Sequence, residues 1–293
     1  MFYYNCYRTI KQERVFGERF RNVLLTDGDC FMNVIVFLIC FLASCIGSIC
    51  GIGGGVIIKP VLDAVSVMDV SAISFLSGCT VLAMTTYSLI KKKVSGQSHI
   101  NQKVSLPLAL GAAAGGILGK QIFSVMTAAA NDLNRVGRVQ SICLLLVTAG
   151  TLIYNLFQFR VHTKNVDSAA ACVVIGLLLG VMSSFLGIGG GPVNLVVLFF
   201  FFSMDIGSAA ENSIYIIFFS QAASLLYSMA TGSVPEFPWG MLVLMVAGGI
   251  VGGIAGAATM KTISLKRINN LFVGLMGVII VICIYNVCNY SVA

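Results

Sequence analysis

Charge is scarce in this sequence. Asp, Glu, Lys and Arg make up 10% of its 293 residues, against about a quarter in an ordinary soluble domain, and a water-soluble fold is excluded on that ground. The signatures of metal and nucleotide chemistry are missing too. Ten cysteines include no CxxC pair, and the two histidines, His99 and His162, lie in loops without metal-ligand spacing. Neither HExxH nor GxxxxGK[ST] occurs. No metal, no cofactor, no catalytic residue and no direct ATP drive are therefore expected, and an intramembrane enzyme lacks the concentrated ionisable set it would need. Residues 1–30 have no short apolar core before a small-residue cleavage site, so they read as a charged N-terminal tail ahead of a retained signal anchor at 31–50.

What the chain has is hydrocarbon: 58% of it is hydrophobic. Apolar runs fall at about 31–50, 70–90, 104–127, 139–157, 168–186, 207–229, 239–260 and 268–288. Each is long enough to cross roughly 30 Å of bilayer core as a helix. Segments of about ten residues with in/out alternation, the mark of a membrane β-barrel, do not occur. Cys40, Cys45, Cys50, Cys79, Cys143, Cys172 and Cys283 fall inside the apolar runs, as small inert helix residues or, in the alternative, as thiols touching a sulfur-containing substrate.

The net charge of +7 is concentrated where membrane segments end: the tail, Lys91 to Lys93, and Lys261, Lys266 and Arg267. Charges so placed are topology determinants or lipid-headgroup contacts. They do not form the solvated basic face that nucleic acid requires, so the expected partners are the lipid bilayer and a small solute, with no nucleic acid. No oligomeric state is assigned.

The chain repeats itself. Gly51-Ile52-Gly53-Gly54-Gly55 returns as Gly187-Ile188-Gly189-Gly190-Gly191, 136 residues on. The same offset carries Met68-Asp69-Val70 onto Met204-Asp205-Ile206 and Ser77 onto Ser213. One residue further along, Gly115-Gly116-Ile117-Leu118-Gly119 matches Gly252-Gly253-Ile254-Ala255-Gly256. The expected domains are a first transmembrane repeat at 31–160, a linker at 161–167 and a second repeat at 168–293. Within each, the glycine run is followed by a short apolar stretch, 56–68 or 192–204. Thirteen helical residues rise only about 20 Å, too short for a relaxed crossing. A glycine run followed by a short helix marks a broken or re-entrant segment, permitted where protein or a water-filled cavity shields the backbone. The fold class is an all-α integral membrane protein of two homologous repeats, each of about four spans plus one short glycine-broken helix, giving 8–10 membrane segments. Glycines at every fourth position, Gly111, Gly115 and Gly119 and again Gly248, Gly252 and Gly256, read as helix-packing stripes.

Two arrangements fit the charges. An even number of crossings per half makes the repeats parallel, which suits the first half. An odd number makes them inverted and places Lys91–Lys93, the linker and Lys261–Arg267 in the cytoplasm with the tail outside.

A helix that restarts after a break presents unpaired amides and the positive end of its dipole. Two facing breaks would therefore cradle an oxyanion. The candidate substrate-binding residues are Gly51, Gly53, Gly54, Gly55, Lys59, Ser77, Gly187, Gly189, Gly190, Gly191, Asn194, Asn212 and Ser213; the competing reading is that the glycines only permit close helix crossing. Lys59 is unusual, because a central ammonium costs about 2.5–3.5 kcal/mol on insertion scales. It could attract the anion, pair with Glu211 or Asp63, or snorkel to an interface. Glu211 is the candidate for proton coupling, with an interfacial position as the alternative. Asn194, Ser220 and Gln221 are substrate contacts or interhelical hydrogen bonds.

The two GIGGG runs, Pro60 and Pro192 after them, Asn212-Ser213, and the Gly-rich span following Thr231-Gly232-Ser233-Val234 together resemble the sulfite exporter TauE/SafE family over about 33–288. The resemblance implies a plasma-membrane permease or exporter for sulfite, sulfonate or related small organic anions, coupled to protons or another ion. The chain departs from that pattern at Lys59, at Val196 and in its charged tail. The expected function is a secondary transporter of a small, sulfur-containing anion; the alternative is an anion channel or a non-transporting scaffold.

Overall fold

The computed structural model describes residues 28–65, 68–94, 96, 102–130, 132–157, 163–166, 168–260 and 262–292, so His99, His162, Lys261 and nearly all of the N-terminal tail lie outside the described residues. Every described element is an α-helix: α1 (Gly28–Cys50), α2 (Gly55–Val65), α3 (Val70–Val94), α4 (Gln102–Ala129), α5 (Leu133–Phe157), α6 (Ala169–Leu186), α7 (Gly191–Phe202), α8 (Ile206–Ala230), α9 (Trp239–Met260) and α10 (Leu265–Val292). Eight are long and apolar enough to cross a membrane; α2 and α7 have only 11 and 12 residues. Large apolar side chains such as Leu42, Leu146, Val243 and Val281 lie exposed on the outer faces, where lipid rather than water is their natural solvent. The protein is an all-α integral membrane protein.

Helix-to-helix contacts fix relative directions. The carbonyl oxygens of Phe37, Phe41 and Cys45 on α1 meet Gly248, Gly252 and Gly256 of α9 in turn, so these helices run parallel. On α6 the carbonyls of Val173, Leu177 and Val181 meet Gly111, Gly115 and Gly119 of α4 in the same way. α3 follows α9, with Thr80 on Gly249 and Met84 on Gly253. α8 follows α4, because Ser105 donates to Asn212 and Gly116 packs on Ser220. Between these sets the direction reverses: Gly78 lies against Gln221 and Lys92 pairs with Glu211, making α3 and α8 antiparallel. Asn155 donates to Asn269 while Gly137 packs on Tyr290, so α5 and α10 are antiparallel as well.

Both short helices turn back on the long helix before them. Gly54 lies against Ser44, and Ile58 and Leu62 share a core with Val36 and Cys40. Asn286 Nδ2 donates to the Pro60 carbonyl at 2.9 Å. At the other end of the bundle, the Lys164 amide donates to the Phe200 carbonyl at 2.7 Å and Tyr154 packs edge-on against the Phe200 ring. Helices α1/α2 and α6/α7 are therefore hairpins that open toward opposite faces of the bundle. Counted with this return, each half ends on the face opposite to its start, and the halves are antiparallel. Lys91, Lys92 and Lys93, Lys103, Lys164, Lys266 and Arg267 gather at one face by this geometry, against Arg135 and Arg138 among the described residues of the other, and this excess is the one the positive-inside rule expects on the cytoplasmic side. Asp69, Asp132 and Glu236 lie at the other.

Local chemistry starts the helices where the chain needs them. The Asp205 carboxylate accepts from the amides of Gly207 at 3.0 Å and Ser208 at 3.3 Å, capping α8. Hydrogen bonds, first from the Ser208 side chain and then from these amides, hold its carboxyl below the usual range.

Candidate functional site

The two glycine runs meet. α1 stops at Gly51 and α6 at Gly187, each in the left-handed region with φ of 72° and 66°, a conformation only glycine adopts without strain. The Gly187 amide closes the last turn of α6 on the Ser183 carbonyl. Past these caps the runs cross. A Cβ on Gly55 would come within 2.5 Å of the Ile188 carbonyl oxygen, and one on Gly191 would overlap Val56. Gly51 lies against Ala210, and Gly187 against Ser74 and the Lys59 side chain. Gly53 borders Met84 and Ile217, both near the middle of α3 and α8, while Gly189 borders Val81 and Ile217.

Polar side chains without partners surround the crossing. Ser77 Oγ, Ser213 Oγ and both amide atoms of Asn194 are buried and make no hydrogen bond among the described residues. Ser77 sits one turn from Ser74 and one turn from Val81, the residues that touch Gly187 and Gly189. Ser213 sits between Ala210 and Ile217, which touch Gly51 and Gly53. Asn194 lies against Gly190, and Ser44, another unpartnered hydroxyl, against Gly54. An unsatisfied buried donor costs about 1–3 kcal/mol, so such a concentration calls for a physical reason. The amides of Gly54, Gly55 and Val56, and those opening α7, belong to first helical turns with no intrahelical acceptor. Together these groups concentrate hydrogen-bond donors beside the crossing.

The remaining candidates go elsewhere. Lys59 Nζ lies 2.7 Å from the Asp63 carboxylate with both side chains almost fully buried, so it is paired within α2 and does not snorkel to an interface. Its alkyl stem flanks Gly187. A cavity of about 450 Å³ lined by Asp63, Asp69, Glu236 and Tyr290 reaches this pair from the face opposite the lysine-rich one. Glu211, also buried, faces Lys92 at 3.5 Å. Asn212 donates to the Ser208 carbonyl at 2.7 Å and accepts from Ser105, holding α4 on α8 away from the crossing. Gln221 Nε2 donates to Ser183 at 3.1 Å, and Ser220 lies 3.4 Å from Ser184, so both serve as interhelical bonds. Cys40, Cys45, Cys50, Cys79, Cys143, Cys172, Cys283 and Cys288 are free thiols. Among the described residues no three His, Cys, Asp or Glu side chains come together as metal ligands would.

Ser44 escaped the sequence reading because its counterpart 136 residues on is Gly180, so the internal repeat carries no hydroxyl there. Lys120 was passed over as well, although a lysine inside a Gly-rich span is the same signal that singled out Lys59.

Among known proteins, the chain is similar to YunE of Bacillus subtilis (strain 168), named a probable membrane transporter protein, with 23% identity over 256 residues, 80% of this chain and 91% of that one. It is also similar to two proteins named probable membrane transporter protein MamO. That of Paramagnetospirillum magneticum (strain ATCC 700264 / AMB-1) is 27% identical over 118 residues, 39% of this chain. That of Magnetospirillum gryphiswaldense (strain DSM 6361 / JCM 21280 / NBRC 15271 / MSR-1) is 27% identical over 111 residues, 36% of this chain. The chain spans only 18% of the length of either MamO protein. No solved structure gives a significant match. The model of the sulfite exporter TauE/SafE family matches residues 36–283, nearly the whole helical bundle, and the chain belongs to that family of membrane transporters.

Proposed function

We propose that the protein is a secondary transporter of a small anion, with sulfite, a sulfonate or another sulfur-containing organic anion as substrate, bound where the two glycine breaks cross. The observation that carries this reading is the set of buried, unpartnered polar groups on Ser77, Ser213 and Asn194 beside the opening turns of α2 and α7. Their hydroxyls and amide hydrogens are donors suited to an oxyanion, and two helix N-termini add partial positive charge without a permanent cation. Gly51, Gly53, Gly54 and Gly55, with Gly187, Gly189, Gly190 and Gly191, bring the backbone close enough to use.

The halves 31–160 and 168–293 are proposed as duplicated units working in opposite orientation, so that rocking one against the other exposes the crossing alternately to the two faces. Lys59 adds a nearby positive charge offset by Asp63. Glu211, released from Lys92 by protonation, is the proposed coupling group, and the plasma membrane is the proposed location.

The test is uptake into proteoliposomes of sulfite, thiosulfate, sulfoacetate, taurine and sulfate, with and without an imposed pH gradient. Saturable flux of one of these, driven by the gradient, is expected. Flux that never saturates would make the protein a channel, and no flux of any would remove the anion from the proposal.

A further inference from the structure

A second basic site lies off the crossing. Lys120 is in the interior of α4, one turn beyond the Gly116–Ser220 contact, and its side chain is only 5% exposed. Lys59 has Asp63 and Lys92 has Glu211; Lys120 has neither an ion pair nor a hydrogen bond among the described residues. Its ammonium sits over the Phe123 ring, 4.8 Å from the centroid, a contact worth about 0.5–2 kcal/mol and too small to offset the burial of a full charge.

Lys120 also borders open space. Lys120 lines a cavity of about 440 Å³ together with Ser71, Phe123, Ser124, Thr127 and Ser233. Thr127 donates to the carbonyls of Phe123 and Ser124, and Ser233 is bonded within its turn. The Ser71 and Ser124 hydroxyls make no hydrogen bond among the described residues and are on offer to a ligand. Ser71 also belongs to the first turn of α3, whose dipole presents positive potential. The cavity is bounded by the start of α3, the end of α4 and the α8–α9 loop, all at the face opposite the lysine-rich one.

We propose that Lys120, with Ser71 and Ser124, forms a second anion-binding station on the non-cytoplasmic side, where a small oxyanion docks before entering or after leaving the glycine crossing. The proposal rests on the anion-transporter reading for its role but not for its existence. Sequence supports a dedicated function: the position matching Lys120 at the 137-residue offset is Ala257, so the lysine is not required by the helix packing that the two halves share.

Two measurements on the full-length reconstituted chain test it. In the first, Thr127→Cys is labelled from the non-cytoplasmic face with membrane-impermeant anionic and cationic methanethiosulfonate reagents, counting modification above the parent protein. The anionic reagent is expected to react several-fold faster, sulfate to slow it, and Lys120→Met to remove both effects while Lys120→Arg keeps them. In the second, Lys120→Met should raise the KM for sulfoacetate presented at that face about ten-fold, the loss expected for one charge-assisted hydrogen bond, with the maximal rate little changed. Absence of both the charge preference and the sulfate competition overturns the station whatever the flux shows. A preference that depends on Lys120 in a protein that moves no anion supports the station and removes the transport reading instead.

Discussion

Gly115 lies so close to the carbonyl oxygen of Leu177 that a Cβ on it would overlap that oxygen, and Gly252 stands in the same relation to Phe41. Leu177 and Phe41 are 136 residues apart, the offset of the two glycine runs, and Gly115 and Gly252 are 137 apart, so the two contacts are repeat counterparts, and each joins one half of the molecule to the other. A backbone carbonyl cannot swing aside as a side chain can. Gly115→Leu and Gly252→Leu are therefore expected to destabilise alike, beyond the about 1–3 kcal/mol of ordinary overpacking. Melting of the detergent-solubilised protein measures it; a wild-type transition in either variant would remove the close crossing.

Ser77→Ala and Ser213→Ala carry the opposite sign. Each deletes a buried hydroxyl that has no partner among the described residues, so thermal stability should hold or rise, since the unmet donor costs about 1–3 kcal/mol. Anion flux should fall about ten-fold if the donor is met by substrate. A stability loss in both, with flux intact, would assign the hydroxyls to packing.

Lys59 and Asp63 form a buried pair 2.7 Å apart. Lys59→Met alone removes the cation that faces the buried Asp63 carboxylate and should cost about 3–5 kcal/mol. Adding Asp63→Leu should restore most of that loss. Transport then separates two roles: a stable double variant that no longer moves anion makes the charges functional, and one with full flux makes the pair structural.

Opposite faces hold Lys93 and Glu236. Both side chains are exposed, so Lys93→Cys and Glu236→Cys should react with an impermeant thiol reagent from opposite sides of the membrane, Glu236→Cys from outside the cell. Labelling of both from one side would contradict the antiparallel halves.

The helices were legible because each apolar run is long. The run at 239–260 is α9 to the residue, and the others differ mainly in extra polar turns at their ends, such as Leu133 to Arg138 on α5. The glycine breaks were legible because the motif recurs. The direction of α2 and α7 was not, since a short apolar helix can continue forward or fold back, and only tertiary contacts such as Asn286 to Pro60 decide it. In sequence, Asp63 was one of several partners open to Lys59, beside Glu211, the anion and an interface, and the buried contact at 2.7 Å selects it. Nothing local announces that Asn212 is held by Ser105, 107 residues away, and the adjacent Ser213 with no partner looks no different in sequence.

The charged pair of α2 also bears on the proposed rocking of the two halves. At the matching positions of α7 stand Leu195 and Phe199, so the hairpin on one side of the bundle carries an ammonium and a carboxylate while its counterpart carries hydrocarbon. Two antiparallel halves of identical sequence could exchange shapes at no net free energy, and the inward-open and outward-open forms would be equally populated. Under the proposed rocking, each form would place an ion pair and an apolar surface in different hydration, so the two forms would differ in energy and one facing would be preferred.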